Sequence, residues 1–134
     1  MKVDGSCHCG AIAFEAEIDP ARVSVCHCTD CQTLTGTAYR TTVPAPATGF
    51  VLKRGTPKIY IKRTAESGRP RVQAFCGECG TPLYASAMEN AETYGIRVGT
   101  LAQRAQLKPA RQIWCRSALP WAQSLEGLPQ RDKE

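Results

Sequence analysis

The stretch CHCTDC, residues 26–31, places three cysteines within six positions, and a further pair of cysteines stands on each side of it. The two pairs lie in GSCHCG, residues 5–10, and in FCGECG, residues 75–80. Cysteines two or three positions apart can chelate one zinc ion in a tetrahedral site without closing a long loop. Because the flanks of all three clusters are polar and rich in glycine, these thiols do not continue a hydrophobic stripe. We therefore interpret the clusters as zinc ligands.

A glycine follows the second cysteine of each pair, at Gly10 and at Gly80. A tight metal knuckle often needs positive φ or a close approach of the backbone to sulfur at this position, and glycine permits both. The repeated placement supports the metal interpretation.

The clustered thiols number seven, one short of two sites with four thiolates each. If two zinc ions bind, one site is closed by four cysteines, and the other keeps three ligands and an open position, which is the arrangement of catalytic zinc. The cluster with three ligands of its own predicts the open site, and the two pairs predict the closed one. Spacing alone leaves open an ion shared between Cys31 and the second pair. The predicted ligands are Cys26, Cys28 and Cys31 for the open site and Cys7, Cys9, Cys76 and Cys79 for the closed site.

Disulfides are an alternative, since the chain contains eight cysteines, an even number. Against them, residues 1–6 have no apolar signal-peptide core, and adjacent Cys-x-Cys pairs are awkward in disulfide scaffolds. We therefore expect a cytoplasmic protein with reduced thiols. A thioredoxin-like role for CGEC is disfavoured because no βαβ pattern surrounds it. Two purely structural metal sites remain an open alternative.

Three other residues, His8, His27 and Cys115, are possible ligands. His8 and His27 each stand between two cysteines, but in an extended Cys-x-Cys segment the middle side chain points away from the face that the thiolates share. We expect both histidines to lie beside the sites or on the surface. Cys115 stands alone, either as a buried strand thiol or as a fourth ligand near the open site.

The length of 134 residues predicts one domain, with a core at about residues 5–129 and a frayed tail at 130–134. Seven thiolates and two divalent ions would lower the formal charge of +5 to +2, so the basicity is weak evidence for nucleic acid. No apolar run is long enough for a membrane helix. The charge is compatible with a small anionic ligand.

Short alternating segments between turn signals predict a mainly β domain. We expect Phe50–Arg54 and Lys58–Arg63 to form a hairpin, and a strand ending at residue 25 to deliver the three-cysteine cluster to a sheet edge. A helical turn is predicted from Asp30 to Gly36, and a helix can begin at Pro120. The other predicted strands are 12–17, 37–43 closed by a rigid turn at 44–46, 71–75, 81–86, 94–99 and 111–115, with a short helix or loop at 88–92.

Several motifs together resemble the glutathione-dependent formaldehyde-activating enzyme family. They are the three cysteine clusters, the third continued as FCGECGTPLY, then VGTL, IW, PW and EGLP, and they span Gly5 to about Pro129. The resemblance implies a β-tent fold of small stacked antiparallel sheets pinned by zinc knuckles. It also implies a structural zinc at the two cysteine pairs and a catalytic zinc at Cys26, Cys28 and Cys31.

The family activity implied by this resemblance is that of a carbon–sulfur lyase, in which formaldehyde and glutathione form S-hydroxymethylglutathione. A small-molecule thiol such as glutathione is therefore the expected partner, with basic side chains available for its carboxylates at Arg40, Lys53, Arg54 and Arg63. Three positions differ from many members: Gln32 replaces a basic residue, Ala102 an acidic residue and Gln112 a histidine. The alternative function is a zinc-stabilised binding module without catalysis.

Overall fold

The computed structural model describes all 134 residues, with ten β-strands in two sheets and one α-helix. This confirms the predicted mainly β fold. No helix is both long and apolar enough to cross a membrane. The only α-helix, α1, covers Thr29–Thr35 and ends at Gly36, whose φ of 67° gives the left-handed cap expected of a terminal glycine.

The smaller sheet has three antiparallel strands, β1 (Lys2–Ser6), β2 (Ala13–Glu17) and β5 (Phe50–Arg54), with β2 in the centre. The predicted alternation in β2 is confirmed, because Phe14 and Ala16 are buried while Glu17 is exposed. Strand β1 was not predicted, because Val3 is its only large apolar residue.

The larger sheet has seven strands in the order β10-β3-β4-β9-β8-β7-β6. All neighbours are antiparallel except β10 and β3, which are parallel. Its strands are β3 (Ser24–Cys26), β4 (Arg40–Pro46), β6 (Lys58–Lys62), β7 (Arg71–Phe75), β8 (Pro82–Ala87), β9 (Thr93–Arg97) and β10 (Arg111–Ile113).

The predicted hairpin between β5 and β6 is wrong. Strand β5 pairs with β2 and β6 pairs with β7, so the two strands belong to different sheets. Gly55 between them has a φ of +75°, and a Cβ there would meet the Ala11 carbonyl. The chain therefore leaves the smaller sheet at Gly55 instead of turning back on itself.

Strand β4 also continues through the prolines that were expected to close it. Its partner β3 reaches only as far as Thr42, so beyond that residue one side of β4 has no β3 neighbour. A proline, which lacks an N–H donor, is tolerated in a strand where no ladder bond is required. Pro44 and Pro46 therefore stay within the strand, paired on the other side with β9.

Residues 88–92 form a loop, which is one of the two forms expected for them, and two further expectations need correction. Strand β3 is not at a sheet edge, because β10 lies outside it. The segment that begins at Pro120 forms turns rather than a helix. Trp121 and Leu125 are exposed, so no core contact stabilises a helix there.

The core lies between the two sheets. Phe14 and Val3 of the smaller sheet, together with Val43, Leu83 and Ile96 of the larger one, are at most 2% exposed. The ring of Phe50 stacks on Phe14, and Tyr84 and Tyr94 pack around it. Cys7 and Cys76 belong to this cluster, so the core borders one of the two cysteine sites.

Candidate metal centres

The two cysteine pairs come together in space. The Sγ atoms of Cys7, Cys9, Cys76 and Cys79 all lie within 4.8 Å of one another. The Cys9 sulfur lies 3.7 Å from that of Cys7 and 3.8 Å from that of Cys76. Four thiolates at about 2.3 Å from a tetrahedral zinc ion have sulfurs about 3.8 Å apart, so this group fits zinc.

Backbone hydrogen bonds shape both knuckles. The Ile12 amide donates to the Cys7 sulfur at 3.2 Å, and the Gly80 amide donates to the Cys76 carbonyl at 2.8 Å. Gly10 and Gly80 have φ of 80° and 76°, so positive φ is the one of the two expected reasons for glycine that applies at both positions. The Arg54 guanidinium donates twice to the Gly10 carbonyl, at 2.6 and 3.0 Å, and so braces the first knuckle.

Thr81 joins the two knuckles of this four-cysteine site. Its Oγ1 accepts the His8 amide at 3.1 Å and lies 3.1 Å from the Cys79 sulfur. The Thr81 hydroxyl, followed by the Cys9 and Thr81 amides, lowers the pKa of Cys79 to about 5. The site therefore favours a thiolate at Cys79 at neutral pH.

The three cysteines of CHCTDC, residues 26–31, also come together. The Sγ atoms of Cys26, Cys28 and Cys31 lie within 4.8 Å of one another, and no fourth cysteine, histidine, aspartate or glutamate belongs to the group. Strand β3 carries Cys26, and α1 carries Cys31. Cys28 is the N-cap of α1, and its sulfur accepts the Cys31 amide at 3.2 Å.

The three-cysteine site has suitable ligand atoms for zinc, but two of its sulfurs lie closer together than those of the four-cysteine site. The Cys28 and Cys31 sulfurs lie 2.8 Å apart, so they must separate by about 1 Å to become two corners of a zinc tetrahedron. The hydrogen bond from Cys31 lowers the pKa of Cys26 to about 5, against the effect of burial. The same contact, together with burial, raises the pKa of Cys31.

Neither histidine belongs to a cysteine group. His8 is exposed, whereas His27 is only 1% exposed and packs edge-on against Tyr39. The His27 Nε2 lies 2.7 Å from Oε1 of Gln112, and the Gln32 amide donates to the His27 and Ser117 carbonyls. Gln32 and Gln112 thus hold the cysteine loop against the C-terminal segment.

Cys115 was expected to be either a buried strand thiol or a fourth ligand near the open site, and both expectations are wrong. It lies exposed in a 3₁₀ turn at Cys115–Ser117 and is not part of either cysteine group. It is therefore neither a buried strand thiol nor a fourth ligand.

A cavity of about 820 Å³ reaches the three-cysteine site through Cys28, the half-exposed thiol of the three. One wall is formed by Trp114, whose backbone is in the left-handed region at φ 57°, and by Arg116 stacked 4.9 Å from the indole centroid. Lys62, Arg69 and Arg71 also line the cavity. We name this space the Cys28 cavity.

The basic side chains expected to hold substrate carboxylates are mostly engaged elsewhere. Lys53 pairs with Glu15 at 3.5 Å, Arg54 binds the Gly10 carbonyl, and Arg63 lines none of the main cavities. Of the four candidates, Arg40 alone lies beside the three-cysteine site, opposite Cys26 in the β3–β4 ladder. Arg69 and Arg71 were missed, because their sequence context, a polar turn leading into a strand, is ordinary for surface arginines.

The fold and the two cysteine groups define a class of small β proteins with two potential zinc centres. A family model described as "Glutathione-dependent formaldehyde-activating enzyme" matches residues 2–117, and the chain belongs to that family. The fold is also similar to the crystal structure of a Rhodobacter sphaeroides protein, a target of the Northeast Structural Genomics effort. That likeness has a TM-score of 0.63 and 23% sequence identity, and covers 81% of this chain and 98% of the other.

Proposed function

We propose that this protein is a zinc-dependent carbon–sulfur lyase acting on the adduct of a thiol and an aldehyde. The reaction is the interconversion of formaldehyde and glutathione, or a related thiol, with the S-hydroxymethyl adduct. The observation that carries the proposal is the three-cysteine site, which has no fourth protein ligand and opens to the Cys28 cavity.

Two zinc ions per chain are part of this proposal. Cys7, Cys9, Cys76 and Cys79 would hold a structural ion, because four thiolates complete its coordination. Cys26, Cys28 and Cys31 would hold a catalytic ion with one position free for substrate. When bound there, zinc supplies a Lewis acid that favours an ionised thiol or polarises an aldehyde oxygen.

In the forward direction the substrate sulfur loses its proton and bonds to the formaldehyde carbon, and the carbonyl oxygen gains a proton. The reverse direction breaks that carbon–sulfur bond. Asp30 is unsuited to donate the proton, because the Lys62 ammonium at 3.0 Å and the Thr64 hydroxyl at 2.8 Å lower its pKa. His27 does not line the Cys28 cavity, so the protons would exchange with solvent in that cavity.

The test is the exchange rate between ¹³C-formaldehyde and its glutathione adduct, followed by NMR with and without the zinc-loaded protein. Cys28→Ser should abolish the acceleration and leave a folded domain, since its site is proposed to serve catalysis. Cys79→Ser should unfold or strongly destabilise the chain, because structural zinc contributes directly to folding.

Cys115→Ser is the matched control, since it removes an exposed cysteine outside both groups, and it should retain both rate and stability. Unfolding of Cys28→Ser and Cys79→Ser to the same extent, or no acceleration by the wild type with any thiol, would favour the zinc-stabilised binding module instead.

A further inference from the structure

The Cys28 cavity contains more positive charge than its own acidic residues balance. Of its four basic side chains, Lys62 pairs with Asp30 at 3.0 Å and Arg116 pairs with Glu66 at 3.4 Å. No carboxylate remains in the cavity lining for the other two. These are Arg69, which is exposed, and Arg71, which is half-buried.

Arg71 has neither a salt bridge nor a side-chain hydrogen bond, and it lines the same cavity as Cys28. It stands opposite Lys62 in the β6–β7 ladder, so another cation is its cross-strand neighbour. Burial and the nearby charge of Arg40 lower the pKa of Arg71, in keeping with its lack of a salt bridge. An anion in the cavity would serve as its counter-ion.

Two more arginines lie on the same face of the sheet as Arg71 and line a different cavity. Arg40 is opposite Cys26, and Arg97 is opposite Thr42, two residues further along β4. Arg97 is only 8% exposed and donates to neutral oxygens alone, those of Gln73 and Gly95. The Nε atoms of both arginines are buried without a partner.

The cysteine site itself does not balance this cluster. Three thiolates and one divalent ion carry a single net negative charge, whereas Arg40, Arg71 and Arg97 carry three positive charges. This surplus of positive charge lies beside a proposed thiol site, so it is suited to a second, anionic group on the same substrate. A carboxylate matches the guanidinium fork and can accept two parallel hydrogen bonds from it.

We propose that Arg71, with Arg40 and Arg97 on the same face of the sheet, binds a carboxylate of the substrate, so that the protein selects thiols that carry a carboxylate over neutral thiols. This inference rests on the proposed function and adds to it the residue that determines specificity. Arg71 is the contact residue, and Arg40 and Arg97 act through the potential that they create in the cavity.

The kinetic test compares N-acetylcysteine with its amide, which lacks only the carboxylate, in the formaldehyde exchange assay. The wild type should favour the acid in kcat/KM by about tenfold or more, as expected for one charged hydrogen bond. Arg71→Gln should remove this preference chiefly by slowing the acid, whereas Arg71→Lys should retain part of it. Arg63→Gln, an exposed arginine outside the main cavities, is the matched control and should behave as the wild type.

A binding measurement provides a readout independent of turnover. We expect calorimetry with S-methylglutathione, whose sulfur cannot ionise, to show at least tenfold weaker binding to Arg71→Gln, with unchanged circular dichroism and Tm for the variant. Equal kcat/KM for the acid and the amide in the wild type, or equal binding to both proteins, would overturn the inference and leave the lyase proposal standing. Arg71-dependent binding without exchange for any thiol would instead overturn the lyase proposal alone.

Discussion

Gly5 is required by the ring that lies opposite it. It pairs with Phe14 across β1 and β2, and a Cβ at Gly5 would overlap three atoms of the Phe14 ring. We expect Gly5→Ala to destabilise the protein by about 2 kcal/mol, as an overpacked core does. Urea unfolding would measure this. Gly99→Ala is the control, since nothing lies within 4 Å of the added carbon, and an equal loss in both variants would show that the Phe14 contact is not the cause.

The hydroxyl of Thr81 tunes the acid sensitivity of the four-cysteine site. It is the largest contribution to the lowered pKa of Cys79, which keeps that thiol ionised down to a pH of about 5. Thr81→Val should raise this pKa, so that protons displace the metal at higher pH, by about half a pH unit. A zinc-sensitive dye would report metal release during acid titration. Thr48→Val, at an exposed threonine, should release zinc as the wild type does.

At the scale of the element, α1 controls the three-cysteine site. Cys28 caps this seven-residue helix, Cys31 lies in its first turn, and Gly36 closes it in the left-handed conformation. We expect Gly36→Ala to cost about 1 kcal/mol and to weaken metal binding at the three-cysteine site, with the four-cysteine site unaffected. Competition with a chelator would resolve the two sites. Thr33→Ala, at an exposed position of α1, should leave both affinities intact, and a loss of affinity at the four-cysteine site in Gly36→Ala would contradict this account.

The sequence predicts elements better than it predicts their partners. Alternation located β2 and β6, and Gly36 located the end of α1, because these signals are local. The partner of β5 depends on the sharp departure of the chain at Gly55 and on the packing of Phe50 against Phe14, and neither is visible in a short window. The apparent hairpin was therefore assigned to one sheet instead of two.

In the candidate site, too, local features could be predicted from the sequence and long-range contacts could not. Ligand number and spacing predicted how the seven clustered cysteines divide into a group of four and a group of three, and the sulfur positions agree with that division. Arg69 and Arg71 could not be predicted, because they line a cavity with Cys28 only when β7 is in place beside β6 and β8. The contact between His27 and Gln112 likewise requires β10 to lie beside β3.

For the whole molecule, the proposal of two zinc ions predicts two steps of metal loss. Elemental analysis of gently purified protein should give two ions per chain, with the ion at the three-cysteine site removed first by a mild chelator. Loss of the second should lower the Tm strongly, because the four-cysteine site borders the core at Cys7 and Cys76. If only one tightly bound ion is found and glutathione does not affect it, then only the structural site binds zinc.

The four-cysteine site joins residues 7–9 to residues 76–79, and β10 joins residues 111–113 to residues 24–26. Both the four-cysteine group and the pairing of β3 with β10 bring together segments that are far apart along the chain, and such contacts slow folding. During synthesis, the first cysteine pair must wait for more than half of the polypeptide before its partners exist, and β3 waits still longer for its outer neighbour. Until residue 79 has been synthesised, the nascent chain therefore carries the thiols of Cys7 and Cys9 without the other two cysteines of their group.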